Sequence, residues 1–159
     1  MRISEQLFPR PVVLITTVSV DGKPNVMTAI FVMPVSFEPK YVAFSISPKR
    51  HTFKNLEKTR EFGLNVCSEE MKRIAGICGR YSGRDVNKFE LAGIEVEDSR
   101  KIKPPLVKNS PVSFECEVVD MKEFGDHFLV VGKVVEEHLR EKEFKPLLHK
   151  TLNVYPRIE

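Results

Sequence analysis

Short β-branched segments joined by tight turns are the feature that most limits how this chain can fold. Residues 11–18, PVVLITTV, precede the turn signal Asp21-Gly22, and a second apolar segment follows at residues 25–33. Because so short a connection returns the chain alongside itself, the pair predicts an antiparallel hairpin. After a loop rich in proline, residues 41–47 and 62–67 predict two further strands.

A second hairpin is predicted nearer the C-terminus. Residues 112–118 place apolar side chains at even positions and Ser113, Glu115 and Glu117 at odd positions. This alternation is typical of an antiparallel strand with one face on the core and the other in solvent. A Gly-Asp turn then connects the strand to residues 128–135, FLVVGKVV.

Helices are expected between the strands. Thr52 is predicted to cap a helix with Phe53 and Leu56 on one face, and residues 69–78 and 86–92 have helical spacing. Many hairpin strands with a few inserted helices predict a mainly β fold, an antiparallel barrel decorated by helices. The chain has neither GxGxxG nor GxxxxGK[ST], so a Rossmann site and a P-loop are not expected.

Length and composition predict one domain. The 159 residues suffice for a single core, so we expect a domain over 1–159, with 138–159 a C-terminal arm of a short helix and an extended segment that packs on the barrel or a partner subunit. Cys67, Cys78 and Cys116 stand in apolar contexts without paired spacing. Buried thiols are therefore expected, and no metal site.

Charge and hydropathy limit the partners. The formal net charge is +3, and acidic and basic residues alternate along most of the chain. Such a distribution does not favour nucleic-acid binding. The sequence contains no stretch of eighteen uncharged apolar residues and no secretory signal. We therefore expect a cytoplasmic protein without membrane contact.

One junction carries the strongest functional signal. In SISPKRHTFKNL, residues 45–56, a strand-like segment runs into a helix-like one, with Lys49, Arg50 and Thr52 between them. A helix N-terminus with nearby cations and a hydroxyl suits a phosphate. Loop charges that serve solubility, with Thr52 as a plain helix cap, are the alternative from this stretch alone.

Five segments in register resemble the flavin reductase-like family with the FMN-binding split barrel, which includes flavoredoxins and ferric reductases. They are PVVLITTVSVDGKPNVMTAIF, PVSFEP, SISPKRHTFKNLEKTREFGLNV, CGRYSGRDVNKFELAG and GDHFLVVGKV, and the likeness covers about residues 8–135. The resemblance implies an antiparallel Greek-key split β-barrel that binds FMN, either tightly or exchangeably. It also implies a homodimer with the flavin at the interface.

The resemblance further implies where the cofactor binds. The flavin ring is expected against two strand segments, and its phosphate at the cationic junction. The turn histidine His127 is expected to contact the nicotinamide of NAD(P)H. The implied cofactor-binding residues are Thr28, Ala29, Ile30, Phe31, Ser45, Ile46, Ser47, Lys49, Arg50, Thr52, Ser82, Arg84 and Lys88.

The expected function is that of an oxidoreductase, an NAD(P)H-dependent flavin or ferric reductase. No nucleophile–base–acid set is visible, which suits a protein whose flavin carries the chemistry. Electrons would pass on to a small-molecule or protein acceptor. A flavoredoxin-like electron carrier without NAD(P)H activity is the alternative. An OB-like nucleic-acid-binding barrel and a split-barrel oxidase of pyridoxine phosphate are more distant alternatives.

Overall fold

Hairpin strands and short helices alternate along residues 1–150, the part of the chain that the computed structural model describes. Four helices were assigned there, and none of them is long and apolar enough to cross a bilayer. They are α1 (Ile3–Gln6), α2 (His51–Thr59), α3 (Lys72–Arg80) and α4 (Lys88–Ala92), and a single 3₁₀ turn, Glu69–Met71, precedes α3. The strands are β1 (Arg10–Pro11), β2 (Val13–Val18), β3 (Pro24–Ala29), β4 (Val32–Ser36), β5 (Tyr41–Ile46), β6 (Glu61–Val66), β7 (Val96–Glu97), β8 (Leu106–Val107), β9 (Val112–Phe124), β10 (His127–Leu139) and β11 (Leu148–His149).

The main sheet closes on itself because its two edge strands are neighbours in the chain. Its strand order is β3-β2-β6-β9-β10-β5-β4, and all of its pairings are antiparallel. Only Ile30 and Phe31 separate β3 from β4. A link this short spans at most about 11 Å, so the two edges meet and the sheet forms a barrel that is open along this line. This confirms the predicted antiparallel barrel with inserted helices.

The edge strands also account for two wrong predictions. Residues 25–33 were expected as one strand, but they form the end of one edge strand, the link, and the start of the other. The expected loop around Pro34 is part of β4 instead. Proline lacks a backbone N–H, and it is tolerated here because β4 lies at the sheet edge and has a bulge between Pro34 and Ser36.

Strand β2 is buried on both faces and separates two apolar cores. Val13 and Ile15 point into the barrel, where Phe53 and Leu56 of α2 close one end. Val12, just before the strand, and Leu14 pack on the outside against α3 and α4. The predicted buried thiols are confirmed, since Cys67 and Cys78 lie in the outer core and Cys116 in the barrel. The two cores fix the helices against the barrel wall.

The polar face of β9 is buried, contrary to the prediction of a solvated face. Ser113 and Glu115 are completely inaccessible to solvent, and only Glu117 is exposed. Glu115 accepts hydrogen bonds from the backbone N–H groups of residues 100–102 and lies against His138 Nε2. Burial alone raises its pKa, but these bonds outweigh burial and hold the pKa of Glu115 below its ordinary value. The carboxylate therefore fastens a long loop to the barrel.

The chain after β10 packs along the barrel without a helix. Leu147 is buried, donates its N–H to the Cys67 carbonyl at 2.9 Å and accepts from Val12 N–H at 3.2 Å. β11 then pairs with β1. The short helix expected in this tail is therefore wrong for residues 141–150, and the remainder of the predicted arm, 151–159, lies outside the described residues.

Glu115→Gln is expected to lower the free energy of unfolding by about 2–4 kcal/mol, because hydrogen bonds to a buried charge are lost and an amide NH₂ group faces backbone donors. Urea denaturation at pH 7 measures the change. Glu117→Gln, exposed on the same strand, is the control and should change stability little. The stabilisation from Glu115 is present above its unfolded pKa and is lost as the pH falls through its lower folded pKa, so the difference between wild type and variant should shrink in acid. A variant as stable as wild type at pH 7 would contradict this role.

Candidate functional site

A long groove of about 1010 Å³ runs along the open line of the barrel. The end of β3, the two-residue link, the end of β5 and the tip of the β9–β10 hairpin line it. Strand β3 pairs only with β2 among residues 1–150, so backbone groups on its outer edge are available to a ligand. Ten of the predicted site residues line this groove: Thr28, Ala29, Ile30, Phe31, Ser45, Ile46, Ser47, Lys49, Arg50 and His127.

A cavity of about 150 Å³ continues from the groove. Lys49 and Arg50 line both spaces, so the two are contiguous. The four remaining predicted residues, Thr52, Ser82, Arg84 and Lys88, line the cavity. Four cationic side chains thus surround a space large enough for one small anion, and we refer to it as the cationic cavity.

Within residues 1–150, Arg50 and Arg84 contact backbone carbonyls and form no ion pair with a carboxylate. Arg84 donates from Nη1 to the Lys49 carbonyl at 3.0 Å, which ties the loop after α3 to the loop before α2. Its own N–H is bonded to Ser82 Oγ at 3.2 Å. Lys49, Arg50 and Arg84 are all exposed. Their positive charge therefore remains available to an anion.

Lys88 differs from the other cations because it is buried. Its side chain is 4% exposed, and Nζ donates to the Cys78 carbonyl at 3.3 Å. Burial, together with the nearby Arg50 charge, lowers the pKa of Lys88 to about 8. A buried ammonium held by one neutral acceptor destabilises the fold unless a ligand offsets it. Its position at the first residue of α4, in contact with the outer core, explains how the charge reaches this depth.

Thr52 lies in the cationic cavity but does not cap its helix, contrary to the prediction. Helix α2 begins at His51, and its N-cap is Arg50, which makes no side-chain capping bond. Thr52 is buried and accepts a hydrogen bond from Asn25 Nδ2 at 2.9 Å. Gly83 lies against Asn25 so closely that a Cβ there would overlap its side chain. The cavity wall therefore requires glycine at this position.

His127, at the start of β10, also lines the groove. Its Nδ1 lies 2.8 Å from Asp126 Oδ1, and this hydrogen bond lowers the pKa of Asp126. The ring centroids of His127 and Phe31 are 5.9 Å apart at an interplanar angle of 40°. His127 is partly exposed, so a ligand in the groove can reach its ring.

Several residues of the two spaces were missed. Asn25 and His51 line the cationic cavity but are not among the predicted cofactor-binding residues. The pKa of His51 is lowered by burial and by Arg84, Lys88, Lys23 and Lys54. The alternation of β3 could have placed Asn25 on the same face as Met27. Ile3 and Ser4 of α1 also line the groove, but a helix of four residues gives no periodic signal.

Comparison with known proteins identifies the family. A model described as "Flavin reductase like domain" matches residues 4–157. The chain belongs to the flavin reductase-like family. Solved structures of split-barrel members share its mainly β, antiparallel architecture, which confirms the predicted split barrel.

Relatives in this family span archaea and bacteria. An uncharacterized protein of Pyrococcus abyssi is 42% identical over 121 residues, which cover 76% of this chain and 69% of the relative. A flavin reductase of Pseudomonas putida is 25% identical over 143 residues, 90% of this chain and 81% of the relative. The crystal structure of an FMN-binding protein from Thermus thermophilus with bound 1-cyclohex-2-enone matches with a TM-score of 0.87 at 25% identity, covering 96% of this chain and 88% of that one.

Lys88→Met is expected to raise the free energy of unfolding at pH 7 by up to roughly 3 kcal/mol, which is the cost implied by a folded pKa of about 8 against an ordinary lysine. Between pH 8 and about 10.4 the unfolded chain holds a proton that the folded protein lacks. Wild type therefore gains stability over this range, and the advantage of the variant should disappear. Denaturant unfolding at several pH values measures this.

Lys54→Met, at an exposed position of α2, is the matched control for that series. It should show no comparable gain at pH 7. A Lys88→Met protein that is less stable than wild type at pH 7 would mean that the ammonium stabilises the fold, and the interpretation of Lys88 as a ligand-binding charge would lose its support.

Proposed function

We propose that the protein binds FMN and acts as an NAD(P)H-dependent flavin reductase. The observation that carries the proposal is the cationic cavity opening onto a groove of about 1010 Å³. Membership in the family supports flavin binding and oxidoreductase chemistry. Similarity to the flavin reductase of P. putida and to the FMN-binding protein of T. thermophilus also supports this proposal.

The residues present are suited to each part of FMN. The phosphate dianion would lie in the cationic cavity, where Arg50 and Arg84 can offer paired N–H donors and Lys49 and Lys88 point charges. Thr52 Oγ already accepts from Asn25, so its hydroxyl hydrogen is free to donate to a phosphate oxygen. The groove volume lies in the upper range for cofactor sites.

The ring system would lie against the open barrel line. Flavin carbonyl groups and ring nitrogens need hydrogen-bond partners at close range, and the outer backbone edge of β3 supplies both donors and acceptors. Ser45 N–H is not free for this purpose, because it donates to the Phe31 carbonyl at 2.8 Å. Thr28 is also engaged, since its hydroxyl donates to the Ala75 carbonyl at 2.6 Å. The polar contacts would therefore come from the backbone edge of β3, and not from the Ser45 N–H or the Thr28 hydroxyl.

Bound FMN would accept a hydride from a nicotinamide and pass electrons on. The chain would contribute binding and orientation. His127, which lines the groove, would contact the incoming nucleotide, and Asp126 holds its ring through Nδ1. A cytoplasmic location and an unidentified small-molecule or protein acceptor are parts of the same proposal.

The proposed function also includes a homodimer in which the partner subunit covers the flavin. Strand β4 and its turn present Met33, Val35 and Phe37 to solvent, and Phe37 is 96% exposed. They adjoin an apolar cavity of about 510 Å³ at the barrel mouth. Exposed apolar patches of this kind mark interaction surfaces. A second copy would bury both the patch and the open line of the barrel.

Phe37→Lys is expected to shift the protein from dimer to monomer, because it places a charge in the middle of the proposed interface. Sedimentation velocity at several protein concentrations measures the state. Val20→Lys is the matched control, since Val20 is also exposed but lies in the turn between β2 and β3 and lines neither the groove nor the apolar cavity. A wild-type protein that sediments as a monomer at all concentrations would contradict the dimer.

Replacing both Lys49 and Arg50 with Ala is expected to weaken FMN binding by at least tenfold, because charge-assisted contacts are worth about 1.5–3 kcal/mol each. Quenching of flavin fluorescence measures the affinity. Riboflavin lacks the phosphate, so its affinity should change much less. Lys58→Ala, exposed at the far end of α2, is the control. An equal loss for FMN and riboflavin would place the phosphate elsewhere.

Anaerobic addition of NADH or NADPH should bleach the visible flavin absorbance of the FMN-loaded protein, because the flavin is reduced. Stopped-flow absorbance measures the rate. His127→Ala should raise the nucleotide concentration needed for half-maximal rate and leave FMN affinity near wild type. If neither nucleotide bleaches the flavin but dithionite does, the reductase proposal fails and a flavoredoxin-like electron carrier remains.

A further inference from the structure

A third cavity of about 380 Å³ lies beside the groove, behind the Ile30–Phe31 link. The two spaces share five lining residues, among them Phe31 and Ser45, so they adjoin each other. Its walls are almost entirely apolar, with Leu7, Met33 and Leu129 among them. No aspartate or glutamate of residues 1–150 lines it. One charged side chain does, that of Arg10.

Arg10 is a buried cation that has no counter-ion among residues 1–150. It is 9% exposed, and it belongs to none of the ion pairs found there. Nη1 donates to the Leu7 carbonyl, and Nη2 lies 2.9 Å from His149 Nδ1. Nε has no hydrogen-bond acceptor at all in this part of the chain. Burying a guanidinium with only neutral partners is costly, and an anion would offset that cost.

The wall over Arg10 can move at small cost. Helix α1 contributes Ile3 to this cavity, yet it has no buried residue, and Ile3 and Leu7 are each 70% exposed. On the other side, the Phe31 ring lies 5.7 Å from the Arg10 guanidinium carbon. A shift of α1 or of Phe31 would therefore open the enclosed Nε–H to a ligand in the cavity.

We propose that this cavity binds a small organic acid, with its carboxylate on Arg10 and its apolar, preferably aromatic, body against Phe31 and Met33. Arginine and a carboxylate form charge-assisted hydrogen bonds of matched geometry. The apolar walls favour a ring over a second charged group. Because the cavity adjoins the groove, such an acid would lie next to a bound flavin. The binding itself does not require the proposed reductase function.

Benzoate and benzamide are the probes, since they share a ring and differ in charge. Isothermal titration of the wild-type protein, both free of FMN and with FMN added in excess, should show benzoate binding at least tenfold tighter than benzamide. FMN in excess occupies the cationic cavity if the proposed function holds, so benzoate bound there would be displaced. If the protein takes up no FMN, the FMN-free titration still tests Arg10. Equal affinities for the two probes, or no benzoate binding, would overturn the proposal.

Arg10→Met should abolish the preference for benzoate, and Arg10→Lys should retain part of it because the charge stays but the paired donors are lost. Lys49→Met is the matched control, since Lys49 lines the groove but not this cavity. Its preference for benzoate should equal that of wild type. The proposal would be overturned if Lys49→Met lost the preference for benzoate while folded Arg10→Met kept it. The anion would then bind in the groove. Circular dichroism verifies that each variant is folded. If Arg10→Met is not folded, the comparison of benzoate with benzamide on the wild-type protein decides whether the proposal stands.

Discussion

The two-residue link between β3 and β4 is the constraint on which the rest of the structure depends. Because Ile30 and Phe31 join the two edges of one sheet, the sheet must roll up, yet the edges cannot pair where the link crosses between them. The strands therefore enclose a barrel, but β3 and β4 are not joined to each other by a ladder of hydrogen bonds. An unpaired sheet edge is normally a liability. Here it forms one wall of the large groove, so the same constraint produces both the fold and the candidate site.

The buried charges of the barrel differ in how fully their hydrogen-bonding partners compensate them. Glu115 is fully satisfied by backbone donors and His138, and it fastens a loop far from the groove. Lys88 and Arg10 are also buried, but within residues 1–150 their hydrogen bonds are with neutral groups. Both line spaces that adjoin the groove. Charge that is left uncompensated next to a cavity is what a binding site for anions needs, and a structural role alone does not explain it.

The hairpins and helices could be predicted because they depend on local patterns. Phe53 and Leu56 were correctly placed on the buried face of α2, and the junction at Lys49 was found from its helix-start signal. The break between β3 and β4 could not be found, because apolar residues continue through Ile30 and Phe31 and only the sheet order separates the strands. The buried face of β9 was missed for a related reason. A glutamate in an alternating strand is predicted to face solvent unless its hydrogen-bond donors are known. Here they come from a loop 13–15 residues earlier, which only the fold brings against the strand.

Arg10 is a candidate functional residue that local sequence patterns could not predict. In the sequence it is one charge next to a proline, and nothing local distinguishes it from a surface residue. Besides the nearby Leu7 carbonyl, its contacts are with two remote parts of the chain, His149 and the Phe31 ring, and these only the fold brings together. Phe31 in turn lies 5.9 Å from His127, centroid to centroid, so a single aromatic side chain stands between the buried guanidinium and the turn histidine. Any ligand that displaces Phe31 on one side must alter the groove on the other, which couples the two spaces by packing alone.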